Sequence, residues 1–234
     1  MNDPASGESI APGESAGSTV QYYKRDFWIK ENLKHVPPHY RLQKAARIVN
    51  GIARGKECDL FDVGCGPATL KHLLTKNIHY YGIDIAIHDP APNLIEADFL
   101  ETPIKFGDKR FDVILAQGVF EYIGDFQDQK FAEVAGLLND QGTFIVTYTN
   151  FGHRDKQIYE PFSNVRPLDD FRRSLNHYFD IKRFFPASHN WHGGQPTRKL
   201  LKAANMHINM NVPFISPTLA VEYFFICSSR GCSD

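Results

Sequence analysis

The chain has 234 residues, 42% of them hydrophobic and 23% charged, which fits one large α/β domain or a domain with a small cap. Lys plus Arg is 26 and Asp plus Glu is 27, a formal net charge of -1, so no basic excess marks a dominant phosphate-binding surface. Cys58, Cys65, Cys227 and Cys232 form neither a CxxC pair nor a zinc-like spacing and read as free thiols, no apolar run approaches the ~20 residues of a membrane span, and no secretory signal pattern opens the chain, so the expected location is cytoplasmic.

Residues 1–18, rich in Gly, Ser, Pro and Ala, cannot bury a core and are expected to form a disordered tail ahead of a single domain over 19–234. Within residues 20–39, Tyr22, Tyr23, Phe27 and Trp28 crowd together among charges, a pattern for a packed helix or a lid over a ligand. After Pro37 and Pro38, Leu42, Ala45, Ala46, Val49 and Ile52 recur at helical spacing. A short apolar strand over 59–63 runs into Gly64-Cys65-Gly66-Pro67, and 68–76 reads as a helix with Leu70, Leu73 and Leu74 inward. Strands follow over 79–83, 94–97 and 111–116, then a helix over 128–138, a turn over 139–142 and a strand over 143–148. This alternation predicts a mostly parallel sheet with helices on both faces. Beyond it come a polar loop over 149–168, a helix over 169–178, a strand over 179–185, a helix over 197–205 and an apolar strand over 219–227. Residues 186–217 therefore read as a cap inserted between the two terminal strands.

The segment from Phe61 to Leu70, FDVGCGPATL, carries the chemistry. Gly64 and Gly66 let a ligand approach the backbone at the carboxyl end of the first strand, where open α/β sheets bind ligands. Asp84 ends the next strand twenty residues after Gly64, a place suited to accepting from two ribose hydroxyls. A dinucleotide fingerprint would need glycine where Thr69 stands, and the lysine-containing signature of a P-loop is absent.

The ordered set of motifs resembles class I S-adenosylmethionine-dependent methyltransferases of the small-molecule type. It runs Asp62-Val63-Gly64-Cys65-Gly66-Pro67, Tyr81-Gly82-Ile83-Asp84, Glu96-Ala97-Asp98-Phe99, Phe111-Asp112-Val113-Ile114, then Gly118-Val119-Phe120-Glu121-Tyr122-Ile123. The resemblance implies a Rossmann-like sheet with an antiparallel last strand, and S-adenosylmethionine as the methyl donor, leaving as S-adenosylhomocysteine. It also implies roles. Gly64 and Gly66 would line the methionine part, Asp62 would organise the turn and the amino group, and Asp84 would bind the ribose. Asp98 and the Phe99 amide would meet the adenine, and Gln117 would sit by the methionine end. The sequence departs from the family between Asp84 and Leu94, where nine residues including Pro90 and Pro92 leave no room for the usual crossover helix. Glu121-Tyr122 stands where quinone-biosynthesis O-methyltransferases carry Glu-His; the histidine is missing, so no metal site is carried over.

Methyl transfer asks mainly for alignment of a nucleophile, and a hydroxyl acceptor gains from a general base. If strand 179–185 runs parallel to the first five, its exit opens on the cofactor edge. That exit holds Ser188-His189-Asn190-Trp191-His192-Gly193-Gly194, which makes His189 and His192 candidates for base or substrate anchor. In the other loop His153, Arg154, Lys156 and Arg166 are candidates for holding an anionic group. The expected activity is methylation of a small molecule, at oxygen in preference to nitrogen, with no nucleic-acid partner and no membrane. The alternatives are a protein or RNA methyltransferase, or a non-catalytic S-adenosylmethionine-binding protein.

Overall fold

The computed structural model describes residues 25–34, 36–153, 164–189 and 195–230. Seven strands form one sheet: β1 (Cys58–Val63), β2 (Ile78–Asp84), β3 (Leu94–Glu96), β4 (Phe111–Ala116), β5 (Leu138–Thr149), β6 (Phe179–His189) and β7 (Ala220–Ser229). Their order across the sheet is β3-β2-β1-β4-β5-β7-β6. Strands β1 to β5 pair in parallel, and β7 runs antiparallel to both β5 and β6. Strand β6 thus points the same way as the first five, and its exit does open on their carboxyl edge. The helices among the described residues are α1 (Arg25–Leu33), α2 (Tyr40–Ala53), α3 (Gln127–Leu137), α4 (Leu168–Tyr178), α5 (Gln195–His207) and the short α6 (Ile215–Leu219).

The two sheet faces follow from strand alternation. On one face, Leu60, Val113, Leu115, Ile145, Phe224 and Ile226 cluster with Ala45, Ala46, Val49 and Ala53 of α2. On the other, Phe61, Ile114, Phe144, Val146 and Phe225 cluster with Phe131 and Val134 of α3 and Phe171 and Leu175 of α4. Aromatic stacking tightens this second core: Tyr148 lies on Phe171 at 3.7 Å and Phe120 on Phe131 at 4.7 Å between ring centroids. The α2 face changes character at the carboxyl edge. Thr147 and Thr149 follow Ile145 in β5, and Glu222 precedes Phe224 in β7, all on that face and all fully buried. A buried polar strip at a strand end is where a site is expected, because burial of such groups is favourable only with partners.

Several elements differ from the sequence pattern for local reasons. Residues 68–76 form only a 3-10 turn at Thr69–Leu73. Ala68 sits at φ 52, in the left-handed region, and the chain is already extended at Leu74. Asn50 on α2 accepts from the Thr75 amide and donates to the Leu73 carbonyl, so it takes backbone groups that a longer helix would have used. Strand β5 starts at Leu138, inside the expected helix, and absorbs the 139–142 turn as an irregularity against β4. Strand β6 continues through Pro186 to His189; it is the sheet edge, where a missing N–H costs little. Residues 85–93 cross from β2 to β3 without a helix, as the two prolines require. Cys58, Cys65 and Cys227 are buried free thiols; Cys232 and the 1–18 tail lie outside the described residues.

Candidate active site

The carboxyl ends of β1, β2 and β4 meet under α1 around a cavity of about 330 Å³. Asp62, Gly64, Gly66, Asp84, Asp98, Phe99 and Gln117, the residues assigned to the cofactor, all line it. The turn after β1 holds Gly64 at φ +72 and Gly66 at φ +54, both left-handed. A Cβ on Gly64 would come within 2.4 Å of a Val119 methyl, and one on Gly66 within 3.4 Å of Asn32 Oδ1. At Gly64 the requirement is thus set by close packing against the β4 loop as well as by backbone conformation, while at Gly66 the left-handed φ sets it and the contact with Asn32 would be ordinary.

Two buried aspartates flank this turn. Asp62 Oδ2 accepts from the Tyr80 hydroxyl at 2.7 Å. Burial pushes the Asp62 carboxyl up to about 7; the Tyr80 hydrogen bond opposes this and the charge of Asp84 adds to it. Asp84 Oδ2 accepts from the Gly66 amide at 2.7 Å, and Oδ1 from the Ala86 amide at 2.9 Å and from Asn32 Nδ2 at 3.2 Å. Burial raises its pKa, and those three donors hold it back. Asn32 also donates to the Ala86 carbonyl at 3.2 Å, so α1 is tied directly to the end of β2. Asp98 accepts from the Leu100 amide at 2.9 Å and shapes the turn after β3. Gln117 Nε2 is buried and has no hydrogen-bond partner among the described residues. The cavity therefore offers an ammonium-sized anionic spot at Asp62, an acidic strand end at Asp84 and a spare amide donor at Gln117. That donor set fits the methionine and ribose portions of S-adenosylmethionine.

The opposite end of the cavity lies beyond β4, toward β5 and β7. His39, Arg41 and Leu42 from the start of α2 line it with Gly118, Glu121 and Tyr122, and Trp28 of α1 lines it too. His39 caps α2 by accepting from the Leu42 amide at 3.3 Å. Arg41 forms a close ion pair with fully buried Glu222, which raises the guanidinium pKa. Glu121 is 3% exposed. Its Oε1 accepts from the Thr149 hydroxyl at 3.2 Å, while Oε2 is buried with no hydrogen-bond partner among the described residues. Burial, then repulsion from Glu222, pushes the Glu121 carboxyl up to about 7, against the pull of its own backbone amide, Arg41 and Thr149.

Of the expected acceptor-side residues, those that the structure describes fall elsewhere. His189 ends β6, half-buried, and does not line the cavity. Its pKa is depressed to about 4 by burial and by the charge of Lys44 on α2, so its ring is neutral at physiological pH. His192 lies outside the described residues, as do Arg154 and Lys156. His153 is engaged with the Pro217 carbonyl at 2.8 Å and Arg166 with Asp128 at 2.8 Å, both away from the cavity. Helix α5 packs on α2, where buried Lys44 donates to the Pro186, Asn205 and Ile208 carbonyls at 3.0, 2.8 and 2.9 Å. No described residue of 186–217 lines the cavity. Sequence reading missed Arg41, Asn32 and Glu222 and undervalued Glu121. The one local signal was an acidic residue three places past the left-handed Gly118.

A glycine turn facing a strand-end aspartate, on a parallel sheet closed by an antiparallel strand, defines a class I S-adenosylmethionine-dependent methyltransferase. A family profile described as a methyltransferase domain matches residues 38–193, well over half of the chain, and the chain belongs to that family. A malonyl-[acyl-carrier protein] O-methyltransferase from Calditerrivibrio nitroreducens is 27% identical over 169 residues, 65% of this chain and 67% of the relative. Among solved structures, a TehB-like SAM-dependent methyltransferase from Corynebacterium glutamicum aligns with TM-score 0.56 at 12% identity over 91% of this chain and 98% of that one. A Haloferax volcanii putative methyltransferase, solved with the Trm112 activator, aligns with TM-score 0.59 at 14% identity over 87% and 96%. The CcbJ methyltransferase of Streptomyces caelestis aligns with TM-score 0.57 at 12% identity over 82% and 90%. At these identities the structures speak for the fold alone.

Proposed function

We propose that this methyltransferase moves a methyl group from S-adenosylmethionine to a small-molecule acceptor, at oxygen in preference to nitrogen. The observation that carries the reading is the roof over the cavity: Trp28 and Asn32 of α1 line it, and Asn32 bonds to Asp84 at the donor end. A roofed cavity suits a small acceptor better than a polynucleotide or a folded protein surface, and covering the site excludes water. The O-methyltransferase relative supports oxygen as the accepting atom. In this reading α1, the described helix of the 20–39 segment, acts as the lid. Asp62 orients the methionine ammonium, Asp84 the ribose hydroxyls, Asp98 and Phe99 the adenine, and Gly64, Gly66 and Gln117 line the methionine side. When bound, the donor supplies a methyl group already activated on a sulfonium.

The test is incubation of the protein with methyl-labelled S-adenosylmethionine and, separately, a low-mass metabolite extract, total RNA and a protein lysate. Label is expected in the low-mass fraction. Label confined to RNA or protein would replace the reading with the macromolecular alternative. Binding of S-adenosylhomocysteine without label in any fraction would point to a non-catalytic binder.

A further inference from the structure

The acceptor end of the cavity contains one charged group too many. Arg41 is paired with Glu222, a pair that is electrically closed. Glu121 then adds a second buried carboxylate beside it; among the described residues the Thr149 hydroxyl is its side-chain donor, and Oε2 has no hydrogen-bond partner. Glu121 lines the cavity, and a buried carboxylate oxygen without a partner is costly to keep ionised, so its presence at a site calls for a functional reason. The fold makes this placement deliberate. Thr149, Glu222 and Ser188 stand in register across β5, β7 and β6, and Ser188 Oγ donates to Glu222 at 3.4 Å. The row fixes Glu222 and Arg41, and these in turn set the field at Glu121.

Resting on the methyl-transfer reading, we propose that Glu121 is the acceptor-side base, and that the acceptor is a hydroxyl rather than a free carboxylate. Three observations meet here. The strand order puts Glu121, bonded to Thr149 of β5, on the far side of β4 from Asp62 and Asp84, so it lines the cavity apart from the groups assigned to the donor. Its second oxygen is buried and has no hydrogen-bond partner among the described residues. The groups facing it are Glu222 from β7, Arg41 from α2, Thr149 and Tyr148 from β5, and together they leave its ionised form uncompensated by one charge. A neutral hydroxyl gives Oε2 its missing donor. A carboxylate acceptor would bring a further negative charge to the same spot and would need no base.

The step balances as follows. The acceptor O–H breaks and its proton goes to Glu121 Oε2. An oxygen lone pair forms the new bond to the methyl carbon. The carbon–sulfur bond of the donor breaks with its electron pair left on sulfur, which departs as the neutral thioether. Glu121 must then return its proton to solvent before the next turnover. Its carboxyl, pushed up to about 7, matches that duty near neutral pH.

Two independent readouts test this. In the first, the full chain is labelled with carbon-13 at the glutamate side-chain carboxyl and titrated by NMR, wild type beside Glu121→Gln. The resonance missing from the variant is expected to titrate near neutrality; titration in the ordinary glutamate range would overturn the base assignment. In the second, the labelled low-mass product is treated with mild alkali. An alkali-stable methyl ether is expected, and release of labelled methanol from a methyl ester would overturn the hydroxyl assignment. With that acceptor, Glu121→Gln should lose ~10²-fold in kcat and the rise of kcat with pH through about 7, while its affinity for S-adenosylhomocysteine stays within about twofold of wild type. Retained turnover, or donor affinity lost in parallel with turnover, would overturn it. Absence of product in any fraction would instead count against the methyl-transfer reading itself, whatever the titration shows.

Discussion

Both ends of the cavity hold buried carboxylates, but the protein treats them differently. At the donor end Asp84 accepts from two amides and Asn32, and Asp62 accepts from Tyr80. At the acceptor end Glu121 accepts from Thr149 through one oxygen and leaves the other without a described partner. A carboxylate already held by fixed donors is preorganised to bind, because its position and charge cost nothing further when a ligand arrives. A carboxylate with an unsatisfied oxygen is suited to taking up a proton. Burial raises the pKa at both ends, so burial alone does not tell binding from catalysis; the three fixed donors of Asp84 set it apart from Glu121.

The contrast can be broken most severely at Asp84. Asp84→Ala removes the acceptor for the Gly66 and Ala86 amides and for Asn32 and, in the proposed reading, the anchor for the ribose. Charge-assisted hydrogen bonds of ~1.5–3 kcal/mol each predict a loss of ~10²-fold or more in affinity for S-adenosylhomocysteine by calorimetry. An affinity unchanged in a folded variant would mean the donor end is misassigned.

A second effect sharpens the donor side. A bound ammonium favours the ionised form of Asp62, whose carboxyl sits at about 7 without ligand. Affinity for S-adenosylhomocysteine should therefore weaken as pH falls below about 7, approaching ~10-fold per pH unit. In Asp62→Asn this slope should disappear. A flat profile in the wild type would separate Asp62 from the ammonium.

The third concerns stability. The folded chain holds a proton on Glu121 up to about 7, against an ordinary value of 4.5. Between those values the unfolded chain has released a proton that the folded chain keeps. The contribution of Glu121 is fully present below about 4.5 and is lost as pH rises through about 7. Glu121→Gln, which stays neutral, should match the wild-type melting temperature near pH ~5 and exceed it by a few degrees near pH ~8, since each pKa unit corresponds to ~1.4 kcal/mol. Equal melting temperatures at both pH values would show that the folded chain does not strain this carboxylate.

The smallest expected effect is at the histidines. If Glu121 is the base, His189→Gln and His192→Gln should each keep turnover within a few-fold. A ~10²-fold loss in either, with donor affinity intact, would move the base to the exit of β6.

Much of the donor end was legible because its determinants are local. The turn from Asp62 to Pro67 and the strand-end Asp84 follow one another within a single β-turn-β unit, and residue type alone marks them. The acceptor end was not, because its partners are remote in sequence. Arg41 and Glu222 are 181 residues apart and Glu121 and Thr149 are 28 apart. Each looks like an ordinary surface-type residue until the sheet places it. The histidine-rich segment after β6 had the opposite fault. Its composition suggested chemistry, and the bulged edge pairing of β6 with β7 instead leaves His189 off the cavity, within reach of the charge on Lys44.

By itself, then, the sequence determined the parallel sheet, its antiparallel closure and the donor turn, because strand alternation, glycine conformation and motif order act over a few residues. The tertiary structure alone decided which carboxylates are buried, which have partners and which face the cavity. Those properties depend on desolvation and on donors brought from distant elements. Glu121 lies beside Glu222 and Arg41 only because β7 inserts between β5 and β6 and α2 starts above them.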